Sequence, residues 1–217
     1  MKIIGLSDLH GDIHFLAGIE NEIKSADLVL IAGDITNFGY APDAEKIITA
    51  ILVLNKNLVS ITGNCDNRSV GEYIENKGIS AERKVVDFHP LDLKILGFGG
   101  SVTTPVKTPN TFSESVFHDF FTSTDSSPDI LLTHQPPYKT SADIVMGIKH
   151  VGSPAIRAFI DGKKPRLCLC GHIHESRGAD YFGETLVVNP GPFKNGYYTI
   201  IYSEGNSGKF TAELLKI

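Results

Sequence analysis

The sequence predicts an α/β fold in which two sheets are covered by helices. Three observations carry this reading. Short β-rich apolar runs at 2–6, 28–32 and 58–62 alternate with stretches of helical spacing, the pattern of parallel strands joined by crossover helices. The run at 167–170 is apolar at every position, as a strand covered on both faces requires. Beyond 167 the chain reads as strand after strand, near 167–170, 177–181, 185–188, 197–203 and 209–215.

In chain order, the strand at 2–6 is followed by Leu16, Ile19 and Ile23 on one helical face, then by the strand at 28–32. Ala44, Ile47, Ile48, Ile51 and Leu52 mark a second helical face before the strand at 58–62. Right-handed crossovers bring these three strand ends side by side. The segments 84–88 and 92–98 flank a His89-Pro90 turn and predict a hairpin. Gly97, Gly99 and Gly100 open a long polar loop through Asn110, with Gly99-Gly100-Ser101 as a candidate edge of a cleft. A helix over 113–121 presents Val116, Phe117, Phe120 and Phe121, and 130–133 is a buried strand ending at His134. Ser153 and Pro154 supply the cap and first-turn residue of a helix reaching Asp161. Asn189-Pro190-Gly191-Pro192 reads as a turn between strands. No repeat, low-complexity tract or linker divides residues 1–217, which read as one domain.

Composition narrows the functions. Twenty Lys and Arg against twenty-five Asp and Glu leave a net charge of −5, the wrong sign for gripping nucleic acid by neutralising phosphates. No stable nucleic-acid partner is expected. A chain of 217 residues buries enough surface to need no disulfide or structural metal, so any metal site is functional in the first instance. Cysteines at 65, 168 and 170 make no secreted disulfide framework, the apolar N-terminal stretch is too short for a signal peptide, and no run approaches the ~18 residues of a membrane span. The expectation is a cytoplasmic protein with no membrane partner. No feature of the sequence sets an oligomeric state.

The chemistry gathers at strand ends: Asp8 and His10, Asp34, Asn64, His134, and His172 with His174. Ligands of α/β proteins sit outside the carboxyl ends of strands, so these side chains are expected to line one cleft. Imidazole, carboxylate and amide donors suit Mn, Fe, Zn, Co or Ni, and seven donors exceed one tetrahedral ion. Two ions sharing a carboxylate at about 3.5–4 Å fit better. Asp8 and His10, like His172 and His174, are two residues apart and point the same way on extended backbone. Gly33, Gly63 and Gly171 precede Asp34, Asn64 and His172, where the chain turns and ions approach the backbone. A thiolate zinc site from Cys168, Cys170, His172 and His174 competes with the simpler reading of the two cysteines as packing residues. His14, His89, His118 and His150 read as surface or loop residues, and Arg68 is the candidate phosphate-contacting cation.

Asp8-Leu9-His10-Gly11, Gly33-Asp34, Gly63-Asn64-Cys65-Asp66, Thr133-His134 and Gly171-His172-Ile173-His174 resemble, in order, the motifs of the calcineurin-like metallophosphoesterase family. The resemblance implies a four-layer α-β-β-α sandwich with two mixed sheets. It implies two divalent transition-metal ions, Mn first, with Fe, Zn, Ni or Co as alternatives. Asp8, His10, Asp34 and His174 would hold one ion, and Asp34, Asn64, His134 and His172 the other, with Asp34 as bridge. The family's commoner form has a His where this chain has Cys65, and that His assists the leaving group. A free thiol has pKa ~8.5 against ~6.5 for imidazole, so such assistance is weaker here. Small bacterial and archaeal members that look like phosphodiesterases also carry Gly-Asn-Cys-Asp.

The expected catalytic set is Asp34, Asn64, Cys65 and Asp66, with Asp66 orienting His10 or a metal ligand and with His10 and Arg68 meeting the substrate. The expected function is hydrolysis of phosphodiesters or nucleotide-like small phosphoesters by a water activated between the ions. The alternative is a protein-interaction scaffold, as a retromer subunit resembling this family is. A DNA nuclease of the same superfamily is disfavoured by the acidic balance.

Overall fold

A computed structural model describes residues 1–103, 106–203 and 208–217. Strands β1 (Lys2–Leu6), β2 (Leu28–Ala32) and β3 (Leu58–Ile61) are parallel neighbours, with Ile3 opposite Leu28 and Val29 opposite Leu58. Between β1 and β2 the predicted helical face is divided between a 3-10 turn, His14–Ile19, and helix α1 (Glu20–Lys24), yet Leu16, Ile19 and Ile23 are all buried. Helix α2 (Ala41–Leu54) has Pro42 in its first turn and buries Ala44, Ile47, Ile48 and Ile51, with Leu52 half-buried against the same cluster. Helix α3 (Arg68–Asn76) follows β3 and buries only Val70 and Ile74. Two apolar anchors in a polar stretch are too weak a period to announce it in the sequence.

The expected hairpin is present as β4 (Val85–Phe88) and β5 (Leu93–Phe98), paired antiparallel across the turn at His89–Leu91. Inside the loop expected to be irregular, β6 (Ser101–Val102) and β7 (Thr111–Phe112) form a short parallel ladder. Helix α4 (Glu114–Ser123) buries Phe117 and Phe121 and half-buries Phe120. Val116, assigned to the same face from the sequence, is exposed, because helical spacing puts it at the flank of a stripe centred on Phe117, Phe120 and Phe121. After β8 (Ile130–Thr133) comes a small hairpin, β9 (Ile144–Val145) with β10 (Lys149–His150). In α5 (Pro154–Lys163), the Ser153 hydroxyl accepts the N–H of Ile156 at 3.2 Å, the capping bond its sequence position predicts. The remainder is β11 (Leu167–Leu169), β12 (Gly178–Phe182), β13 (Thr185–Asn189), β14 (Tyr197–Ser203) and β15 (Phe210–Lys216).

The strands build two mixed sheets, ordered β15-β14-β1-β2-β3 and β12-β13-β11-β8-β5-β4. The first is antiparallel from β15 to β1 and parallel from β1 to its other edge at β3; the second has a parallel centre and antiparallel edges. Strand alternation divides the apolar residues among three cores, which makes the four α-β-β-α layers. Leu28, Leu30 and Ala32 face the second sheet and meet Leu132, Leu167 and Leu169. Val29 and Ile31 face α1 and α2. Cys168 and Cys170 point the other way from Leu167 and Leu169, into Phe117, Ile156 and Phe159 beneath the α4 and α5 layer. Burial pushes the Cys168 thiol up to about 12, against the thiolate a zinc site needs. Both cysteines are packing residues.

Candidate metal centre

The donors stand on loops that leave the parallel strands, and the loops brace one another. Beyond β1, the N–H groups of Asp8, His10 and Gly11 donate to the carbonyls of Gly33, Asp34 and Ile35 at 3.1, 2.9 and 3.0 Å, prolonging the contact with β2. Asp8, His10, Asp34 and His172 all have left-handed backbone, with φ of 54°, 49°, 49° and 68°. That conformation costs a non-glycine residue about 1–2 kcal/mol, and here it is concentrated on the donors. Two glycines permit the crowding: a Cβ at Gly63 would stand 2.0 Å from Asp34 Oδ1, and one at Gly171 would stand 1.8 Å from Ser7 Oγ.

On the open side, His174 Nε2 lies 3.1 Å from Asp8 Oδ1 and 3.3 Å from His10 Nε2. On the buried side, His134 Nε2 lies 3.0 Å from Asn64 Oδ1 and 3.5 Å from Asp34 Oδ2. Asp34 Oδ2 is also 3.7 Å from His10 Nε2, so its carboxylate stands between the two sides. His134 Nδ1 faces the Ala32 carbonyl at 2.7 Å; a carbonyl only accepts, so Nδ1 carries the proton and Nε2 turns inward, as a metal-binding imidazole requires. The His172 ring centroid is 5.1 Å from that of His134, and its backbone N–H donates to Asp8 Oδ2 at 3.2 Å. Three groups of donor atoms, Asp8/His10/His174, His10/Asp34/Cys65 and Asp8/Asp34/His134, each lie within 4.8 Å of one another. Two imidazole nitrogens facing each other between carboxylates fit a divalent cation of intermediate softness.

The electrostatics of the bare side chains point the same way. Burial opposes ionisation of Asp8, but the hydrogen bond from His174 and the charge of His134 hold it well below the carboxylate range. Asp34 is likewise buried, and His134 holds it low. Burial works against a charged His134, and Asp34 overrides it, raising the imidazole to about 9. Burial and the neighbouring His134 push His172 down to about 4. Burial also lowers His10, against the pull of Asp34 and Asp8. The two buried carboxylates thus stay ionised, as cation ligands must, while His10 and His172 are held against taking a second proton, which leaves a ring nitrogen free to bind an ion.

The remaining expected site residues are placed differently. The Asp66 carboxylate accepts from the N–H groups of Thr36 (2.8 Å), Ile35 (3.1 Å) and Gly63 (2.8 Å) and from the Thr36 hydroxyl (2.8 Å). It makes no bond to the His10 side chain, one of the two kinds of partner expected for it; backbone donors of the Asp34 loop and of its own loop take its oxygens, and it pins the loop of Asp34 to that of Asn64. Burial and the charge of Asp34 raise it to about 6. Cys65 holds Asp34 through its backbone, whose N–H donates to Oδ1 at 2.7 Å. Its thiol accepts from Asn64 Nδ2 at 3.4 Å, and burial together with Asp34 raises its pKa strongly. Arg68 is almost fully exposed and paired with Glu72 at 2.9 Å; it lines a cleft of about 510 Å³ with Asp66, Arg83 and Asn110 beside the donors. A cavity of about 610 Å³ between Phe88, His89, Asp129 and Arg166 contains none of the donors.

Sequence reasoning passed over three contributors. Ser7 is buried and donates to Asp8 Oδ2 at 2.7 Å, and only its place beside Asp8 hints at this. Asn110 donates its backbone N–H to the Asn64 carbonyl at 3.1 Å and its amide to the Gly63 carbonyl at 3.0 Å, tying down the end of the polar loop. Lys194 lies beyond the Asn189–Pro192 turn, which docks on β1 through the N–H of Phe193 to the Ser7 carbonyl at 2.9 Å. Its own N–H reaches the Asp8 carbonyl at 3.4 Å, its charge is felt at His10, and it makes no ion pair among the described residues.

The comparisons with known proteins agree with this arrangement. The Calcineurin-like phosphoesterase family matches residues 1–176. The uncharacterized protein MJ1162 of Methanocaldococcus jannaschii is 39% identical over 200 residues, 88% of each chain. Among solved structures, TT1561 of Thermus thermophilus superposes with a TM-score of 0.73 at 17% identity, covering 99% of this chain and 98% of that one. A novel archaeal phosphodiesterase gives 0.53 at 18% identity, covering 99% and 100%. Vps29 of Entamoeba histolytica, complexed with zinc, gives 0.51 at 13%, covering 100% and 99%. At such identities these structures speak for the fold, while the motif order and the family match extend from β1 to the His174 loop: the chain belongs to the calcineurin-like phosphoesterase family.

Proposed function

We propose that residues 1–217 act as one domain that hydrolyses phosphodiesters or nucleotide-like small phosphoesters, in preference to simple monoesters, by adding water across a P–O bond to release an alcohol. The observation that carries this is the convergence of Asp8, His10, Asp34, His134 and His174 donor atoms within 4.8 Å in overlapping groups. In this reading Asp8, His10, Asp34 and His174 hold one divalent ion, Asp34, Asn64, His134 and His172 hold a second, and Mn is the first choice over Fe, Zn, Ni and Co. Such ions, when bound, acidify water and neutralise phosphoryl oxygens. They also turn the formal charge from −5 to −5 + 4 = −1, with the positive charge in the cleft where an anion must bind.

The chain's own residues do the positioning. Ala32 fixes the tautomer of His134, Ser7 and the His172 N–H hold the Asp8 carboxylate, and Asp66 locks the two loops that present Asp34 and Asn64. A thiol with its pKa raised stays protonated but is a weak donor, so Cys65 gives little help to a departing alkoxide and good leaving groups are favoured. Lys194 and Arg68 are the cations offered to phosphate oxygens, Lys194 from beside His10 and Arg68 from the adjoining cleft. No helix is long and apolar enough to cross a membrane.

The test is turnover with Mn of an aryl phosphodiester and an aryl phosphomonoester, against Asp34→Ala. Faster hydrolysis of the diester, lost in the variant, is the expected result. Equal rates for both proteins would overturn the enzyme reading and favour a protein-interaction scaffold, which leaves the buried donor set without a purpose.

A further inference from the structure

The open side of the centre is marked by its two least buried imidazoles, His10 and His174, whose side chains are 10% and 39% exposed. Each is flanked by a loop that holds apolar side chains out in solvent. Beside His10, the Gly11 N–H bonds the Ile35 carbonyl, and a few residues on Phe38 is 50% and Tyr40 62% exposed. Beside His174, the Glu175 carboxylate accepts the N–H of Met146 at 3.0 Å, and Met146 and Ile148 at the tip of the β9–β10 hairpin are 83% and 87% exposed.

These loops are built, not slack. Phe38 and Met146 both have left-handed backbone, φ 58° and 54°, which bulky side chains rarely adopt. Asn67 Nδ2 secures the first loop by donating to the carbonyls of Phe38 and Gly39 at 3.0 and 2.9 Å. The Ser176 hydroxyl secures the second by donating to the Ile144 carbonyl. The left-handed pair Met146-Gly147 is what the tight hairpin turn closed by the Ile148 N–H on the Val145 carbonyl requires; what asks for a partner is the exposure of apolar side chains on tethered backbone beside the centre. Both loops join the metal centre at a donor, so the group they meet is one carried by a molecule bound there. Ring faces on one side and a polarisable thioether on the other suit a flat π-system.

We propose that the Phe38/Tyr40 loop and the Met146/Ile148 hairpin form the two sides of a subsite for a flat aromatic substituent of the phosphoester, an aryl group or a nucleobase. This rests on the phosphoesterase reading and sharpens its substrate class.

The test compares two diesters with the same 4-nitrophenol leaving group, one retaining a methyl ester and one retaining thymidine through its 5′ oxygen. In the wild type kcat/KM is expected to favour the thymidine diester by about tenfold, ~1.4 kcal/mol. Phe38→Ser and Met146→Ser should each raise KM for that diester and leave the methyl diester unchanged. A wild-type ratio near one, or a ratio that survives the double variant, overturns the subsite. If neither diester is turned over, the phosphoesterase reading fails by itself, and calorimetry of the Mn-loaded protein with thymidine monophosphate and with inorganic phosphate reads the subsite directly; equal affinities overturn it. Loss of a dimer in Phe38→Ser, with the ratio intact, would make the loops a contact between copies and equally overturn the proposal.

Discussion

The two sides of the metal centre use the same residue types under opposite conditions. Around His134, Asp34 and Asn64 the donors are buried, His134 entirely, with His172 half-buried at their margin, and charge is balanced within the protein: a carboxylate held low beside an imidazole raised to about 9. Around His10 and His174 the donors meet solvent, and Lys194, whose charge is felt at His10 and which makes no ion pair among the described residues, comes from beyond β13. The contrast teaches that burial sets the division of labour. The sealed side fixes geometry, and the open side is the one that faces solution.

The change that breaks both sides at once is Asp34→Ala, since that carboxylate stands between His134 and His10. It should lower kcat by at least about 10²–10³-fold, the scale for losing one preorganised electrostatic group, and elemental analysis should show less bound metal. Asp66→Asn keeps the donors but weakens the clasp between their loops; activity or metal affinity should fall about 10–100-fold, as for other groups that orient ligands. Unchanged Mn affinity and turnover would mean that the loops hold without it. Lys194→Gln acts on the open side alone and should raise KM about tenfold with kcat and metal content kept, the scale of one charged hydrogen bond. A fall in kcat with KM constant would put Lys194 elsewhere in the mechanism.

The sealed side has its own signature in metal-free protein. Because His134 binds its proton more tightly folded than unfolded, its contribution is fully present below the unfolded value of 6.5 and is lost as pH rises through about 9. Urea unfolding in chelator should show stability falling across that window by up to about 1.4 kcal/mol per pH unit, and His134→Gln should flatten the slope. An unchanged slope in the variant would assign it to another group. The smallest effect is expected from Cys65→His, which should speed esters of poor leaving groups by a few-fold and leave aryl esters alike. A uniform change would deny Cys65 any part in proton transfer.

Much of this was legible one-dimensionally. Apolar periodicity located the parallel strands and the α2 and α4 helices, because side chains repeat every two or 3.6 residues whatever lies beyond them, and the Ser153-Pro154 pair located the start of α5. It missed α3, which rests on Val70 and Ile74 alone, and misjudged Val116, because the width of a buried stripe depends on what packs against it. The donor loops were legible because ligands in such folds follow strand ends. The partners of Asp66 were not, since a buried carboxylate takes the nearest donors, and those are amides of its own loop and of the Asp34 loop that folding brings beside it.

By itself the sequence determined the layer order, the family and the list of donors, all of which depend on residue type and local spacing. Only the tertiary structure decided that Asp34 stands between a sealed and an open half and that the Lys194 N–H, from beyond β13, meets the Asp8 carbonyl just after β1. Those are distances between residues far apart in the chain, and they exist only once the two sheets have packed face to face.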